Sequence, residues 1–192
     1  CYASSRQSKG HLYDMSTNII TLIPEIFHEK KPDDGYEYIQ VLGLIKNTRV
    51  YRYIRRDYVN QPDNLPKWKV IAPKSNGSGT LGEVLSTPII GQPLIGHTET
   101  FISIGSFDSK EEAEALLKYI KSKFARTLLG VLKITQDITP EKWKFIPLQD
   151  FTEASDIDWS KSVTEIDQQL YVKYELTDEE IGFIESRVKE MD

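Results

Sequence analysis

Cysteine occurs once in these 192 residues, as Cys1, which excludes a disulfide framework and any cysteine-based zinc site. Histidine is scarce too: His11, His28 and His97 stand far apart, without the spacing of metal ligands. No apolar run is long enough to cross a bilayer, and no signal-peptide pattern opens the chain. A cytoplasmic protein with no membrane partner is therefore expected. The chain opens on cysteine rather than methionine, which suggests a piece of a longer polypeptide. Catalytic signatures are equally thin. Gly77-Ser78-Gly79 is not a nucleophile elbow. Gly77, Gly79 and Gly82 satisfy G-x-G-x-x-G, but Pro73 and three polar residues precede them and Pro88 follows closely. A dinucleotide site needs a strand directly before and a helix directly after.

What is present is an uneven charge. The net charge of −5 divides at Asp150: residues 1–150 carry 20 Lys and Arg against 17 Asp and Glu, whereas 151–192 carry 4 against 12. The expected organisation follows, a body over 1–150 and an acidic helical tail over 151–192. Within the body, residues 44–74 hold eight cations and two acids, interleaved with Tyr51, Tyr53, Tyr58 and Trp68. Such asymmetry points to nucleic-acid contact, or to a solvated basic face balanced by the tail.

Residues 36–46 and 48–56 are rich in β-formers around Asn47 and predict a hairpin. Alternation places Arg49, Tyr51, Tyr53 and Arg55 on one face, and Val50, Arg52, Ile54 and Arg56 on the other. Neither face is cleanly apolar, which suits an edge or a binding face. Residues 68–72 form a strand ended by Pro73, and two more short strands lie within 87–104. Ser109 and Glu112 form a capping box opening one long amphipathic helix with core face Ala113, Leu116, Leu117, Ile120, Phe124 and Leu128, stopped at Gly130. Ser162 with Glu165, and Thr177 with Glu180, open two tail helices. Strands and helices interleave without a βαβ rhythm. The expected class is α+β, with a mixed, mostly antiparallel sheet.

Candidate DNA contacts are the hairpin and neighbouring cations Arg49, Arg52, Arg55, Arg56, Lys69 and Lys74, with Ser75, Asn76 and Ser78 of the following polar loop. Arginine and lysine neutralise phosphates; arginine, asparagine and serine can read base edges. A plain exposed loop remains the alternative for 74–82. A metal-dependent nuclease using Asp33, Asp34 and Glu37 lacks the lysine such a motif requires. A docking role for the acidic tail is the other alternative. No catalytic residue and no cofactor or metal site is expected in this chain.

The C-terminal half resembles a known family. Phe145-Ile146-Pro147-Leu148-Gln149-Asp150-Phe151-Thr152, Asp156-Ile157-Asp158-Trp159-Ser160-Lys161-Ser162, Ile166-Asp167-Gln168-Gln169-Leu170-Tyr171 and Leu176-Thr177-Asp178-Glu179-Glu180-Ile181 look like the ending of bacterial type II restriction–modification enzymes. These polypeptides combine an adenine-specific DNA methyltransferase with an endonuclease. His97-Thr98-Glu99-Thr100-Phe101 and Gly105-Ser106-Phe107-Asp108 resemble the preceding target-recognition domain. The likeness spans about residues 65–190, with 1–64 similar only as a basic hairpin in the expected place. It implies sequence-specific recognition of double-stranded DNA. The methyltransferase domain, S-adenosylmethionine and Mg of the parent enzyme would lie upstream, since this chain has no Asn-Pro pair and so no Asn-Pro-Pro-Tyr motif.

Overall fold

The computed structural model describes residues 15–75, 87–131, 143 and 145–191. A short helix α1 (Ile19–Leu22) leads to the hairpin of β1 (Tyr38–Ile45) and β2 (Thr48–Arg55). Lys46 and Asn47 both take positive φ, 49° and 62°, the two-residue turn whose twist matches paired strands. Strands β3 (Trp68–Pro73), β4 (Ile89–Gly91), β5 (Ile95–His97) and β6 (Phe101–Phe107) follow. Among the described residues they make two three-stranded sheets, ordered β2-β1-β5 and β4-β3-β6. Only β1 with β5 is parallel. The class is therefore α+β with mostly antiparallel sheets, one strand richer in 87–104 than the sequence predicts.

β3 is buried on both faces. Val70 and Ala72 face the helices, while Ile71 meets Leu42 and Phe101 where the two sheets adjoin. β6 carries one extra residue opposite β3 between Trp68 and Val70. Gly105 supplies the bulge at φ 76°, where a Cβ would stand 2.8 Å from Leu116 Cδ2.

The single long helix is a correction. The chain instead forms α2 (Lys110–Lys121) and α3 (Lys123–Val131), parted by Ser122 at ψ 148°, and Gly130 lies inside α3 rather than ending it. The break is held from the tail. Asp167 accepts from the N–H groups of Lys123 (3.0 Å) and Phe124 (2.9 Å), and Ser122 Oγ accepts from Ala125 N–H (3.1 Å). These replace the partners that a continuous helix would have supplied.

All three capping boxes form as read, opening α2, α4 (Val163–Lys173) and α5 (Asp178–Arg187). The division at Asp150, however, does not divide the packing. Phe151, Ile157, Ile166, Leu170, Tyr171 and Ile184 share one core with Val70, Leu116, Ile120 and Phe124. The acidic tail completes the body: the β4-β3-β6 sheet covers one side of α2, and the tail helices pack on α2 and α3 from the other. No described helix is long and apolar enough to cross a membrane.

Candidate nucleic-acid interface

Among the described residues β2 is an edge strand, met on its outer side only by the single bridge of His28 with Tyr53. Ile54 and Val50 turn toward the core holding Ile39, Val41 and Phe27, which leaves the arginines at its margins and on the opposite face. Arg52 donates to Glu29 Oε1 at 3.0 Å, and Arg56 donates to Glu37 Oε2 at 3.0 Å and Gln61 Oε1 at 2.9 Å. The side chains of Glu29 and Glu37 are 80% and 76% exposed, so both pairs are weak and open to exchange with a phosphate. Arg55 is held differently. Its Nε and Nη2 donate to both oxygens of Asp57 at 3.0 and 2.5 Å, and its guanidinium lies 3.5 Å from the Tyr36 ring and 4.7 Å from that of Tyr58. The Asp57 hydrogen bonds raise the Arg55 pKa and lower that of Asp57. Arg55 thus closes the base of the hairpin.

Arg49 stands at the other end, where the two sheets meet. Its Nη2 donates to the Thr87 carbonyl at 2.8 Å, and its Cζ lies 5.6 Å from the Phe101 ring centroid. Lys74 is brought alongside by the end of β3, its N–H donating to Thr100 O at 2.9 Å. Arg49, Lys74 and Ser75 line one cleft of about 500 Å3, together with Asn47, Glu99 and Thr100. Neither Arg49 nor Lys74 forms an ion pair with a described carboxylate. Glu99 turns one oxygen to the Thr17 N–H at 3.2 Å. Among the described residues the cleft therefore holds two cations against one carboxylate, a setting for an anion.

No protein-family model, no curated protein and no solved structure matches the chain.

Lys69 is a correction. Only 2% exposed, it turns inward and donates to the carbonyls of Asn64 (3.1 Å), Leu65 (3.4 Å) and Lys67 (3.1 Å). Burial pulls its pKa down to about 8. It ties the turn ahead of β3 and cannot reach a phosphate. Asn76 and Ser78, like the Gly77-Gly79-Gly82 pattern, lie outside the described residues.

Two of the acids considered for a nuclease, Asp34 and Glu37, serve the approach to β1. Asp34 accepts from Tyr36 N–H at 3.2 Å and from Tyr38 O–H at 2.8 Å, which lowers its pKa, and Glu37 holds Arg56. Among the described residues no three His, Cys, Asp or Glu side chains gather to hold a metal ion. His97 takes a contact role, Nδ1 2.9 Å from Thr98 O and Nε2 2.8 Å from Ser103 Oγ. Sequence reasoning missed Asn47 and Glu99 as cleft residues. Asn47 carried a legible signal, being the turn residue two positions before Arg49, whereas Glu99 depends on how β5 and β6 approach β1.

Proposed function

We propose that this chain is the DNA-recognition module of a restriction–modification enzyme, one that presents double-stranded DNA to an adenine methyltransferase domain elsewhere in the same polypeptide. The observation that carries the reading is the meeting of Arg49 and Lys74, from different sheets, on one cleft without a carboxylate partner among the described residues. The exchangeable cations Arg52 and Arg56 lie along the same edge strand, on its other face. From Arg49 to Arg52 the strand covers about 10 Å, at about 3.3 Å per residue. That matches about three base-pair steps of duplex, at 3.4 Å per phosphate on each strand. Arginine at such an edge sets register on phosphates, and Asn47 and Ser75 offer hydrogen bonds to base edges. S-adenosylmethionine and Mg belong, on this reading, to the parent enzyme, and no chemical step falls to the residues of this chain.

The test is the affinity for duplex DNA measured against salt concentration. The chain should show a steep negative slope, and Arg49→Ala with Lys74→Ala should flatten it by about one unit for each phosphate-binding side chain removed. Lys69→Met should leave the slope alone. Absence of binding at low salt, or an unchanged slope in the double variant, overturns the reading.

A further inference from the structure

The Arg49–Lys74 cleft does not end at its cations. Lys74, Glu99 and Phe101 also line a second cavity of about 430 Å3, walled by Ile39, Val59, Leu65 and Ile95. A few polar groups interrupt those apolar walls: Asn60, Asn64, His97 and Ser103. Their hydrogen-bonding roles are partly determined. Thr98 O can only accept, so His97 Nδ1, 2.9 Å away, donates to it. Nε2 lies 2.8 Å from the Ser103 hydroxyl, whose oxygen keeps a lone pair for a further donor. The buried Lys69 ammonium lies in the same wall with its three protons on carbonyls.

Two cations at a mouth and a mostly apolar pocket with a few fixed polar groups are the two halves of a site for an anionic, ring-bearing ligand. Both volumes fall within the range of small-molecule sites. The arginine fork and lysine point charge suit a phosphate, and a flat heterocycle needs apolar contact on its faces with hydrogen bonds at its edge. We propose that the cleft and pocket together bind one nucleoside monophosphate unit. Its phosphate lies on Arg49 and Lys74, its base lies among Ile39, Leu65 and Ile95, and an exocyclic amino group donates to Ser103. The unit comes either from bound DNA, as an unstacked nucleotide, or from a free mononucleotide. The first source rests on the DNA reading above; the second stands without it.

Gly96 supplies the test variant. It lines the pocket on β5, and a Cβ there meets nothing nearer than 3.9 Å, so Gly96→Val fills ligand space with a residue that suits a strand. The full chain is titrated calorimetrically with the four deoxynucleoside monophosphates, the matching nucleosides and inorganic phosphate. At least one monophosphate should bind tenfold or more tightly than both its nucleoside and phosphate. Gly96→Val should weaken that binding at least tenfold with an unchanged near-ultraviolet circular dichroism spectrum and duplex affinity within twofold. Ser103→Ala should weaken it less. The inference is overturned if no monophosphate exceeds inorganic phosphate, or if both variants bind as the parent does.

A duplex carrying one unpaired nucleotide distinguishes the sources. Tighter binding than the fully paired duplex, with competition by the monophosphate, identifies DNA as the source. Equal binding of the two duplexes, with the monophosphate still bound, identifies the free nucleotide. Monophosphate binding without any duplex binding would remove the DNA reading and leave this site standing.

Discussion

Lys69 and Asp167 are both charged residues at or below 2% exposure, and their surroundings give them different consequences. Lys69 has three carbonyl partners and no carboxylate, so burial depresses its pKa to about 8 against about 10.4 in an unfolded chain. Below pH 8 both states are protonated. Between about 8 and 10 only the unfolded state holds the extra proton, so stability should rise with pH across that window, by on the order of 2 kcal/mol. Chemical denaturation from pH 7.5 to 9.5 should record the rise, and Lys69→Met should abolish it. Higher pH reverses the trend, because burial raises the pKa values of Tyr119 and Tyr171 above that of an unfolded tyrosine. Asp167 is pushed upward by burial, an effect opposed by the two N–H groups that it caps. Asp167→Ala strands both donors in a dry site and should cost about 3 kcal/mol. Ser162→Ala, at an exposed cap using the same kind of hydrogen bond, should cost about 1 kcal/mol. Guanidinium melts of the two variants measure the contrast.

Elements that depend on neighbours in sequence were legible before the structure. The three capping boxes were readable because donor and acceptor sit three residues apart and close on themselves. The hairpin was readable for a similar reason, its turn being local. That turn is not optimal, since Lys46 adopts a left-handed conformation that disfavours side chains. Replacing Lys46-Asn47 by Asn-Gly should raise stability by about 1 kcal/mol and the melting temperature by a few degrees, read by thermal circular dichroism. The interruption at Ser122 was not legible. Residues 109–128 keep one continuous helical period, and the groups that make a break tolerable come from Asp167, more than forty residues away. Gly130 misled for the same reason: it resembles a stop by position, yet the packing of α3 carries the helix through it.

On the scale of the whole molecule, the contrast in charge between 1–150 and 151–192 marks no structural boundary. Tail and body share a core, and the body alone would expose the faces that Ile166, Leu170, Tyr171 and Ile184 now cover. A chain ending at Asp150 should lose cooperative unfolding and near-ultraviolet circular dichroism; a sharp, native-like melt from that fragment would show the tail to be dispensable. Additional ties link these segments, including Lys123 to Glu185 at 2.5 Å and Lys118 Nζ to Trp159 O at 2.7 Å. The sequence by itself determined the α+β class, the hairpin, the capped helix starts and the basic character of 44–74. Hydrogen bonds three residues apart and side-chain periodicity are local properties. Only the tertiary structure decided which cations face solvent and which face the protein. Lys69 went to three carbonyls, Arg55 to a carboxylate between two rings, and Arg49 to a cleft beside Lys74. A charge is written in the chain, but its availability is set by neighbours that only folding brings within a few ångströms.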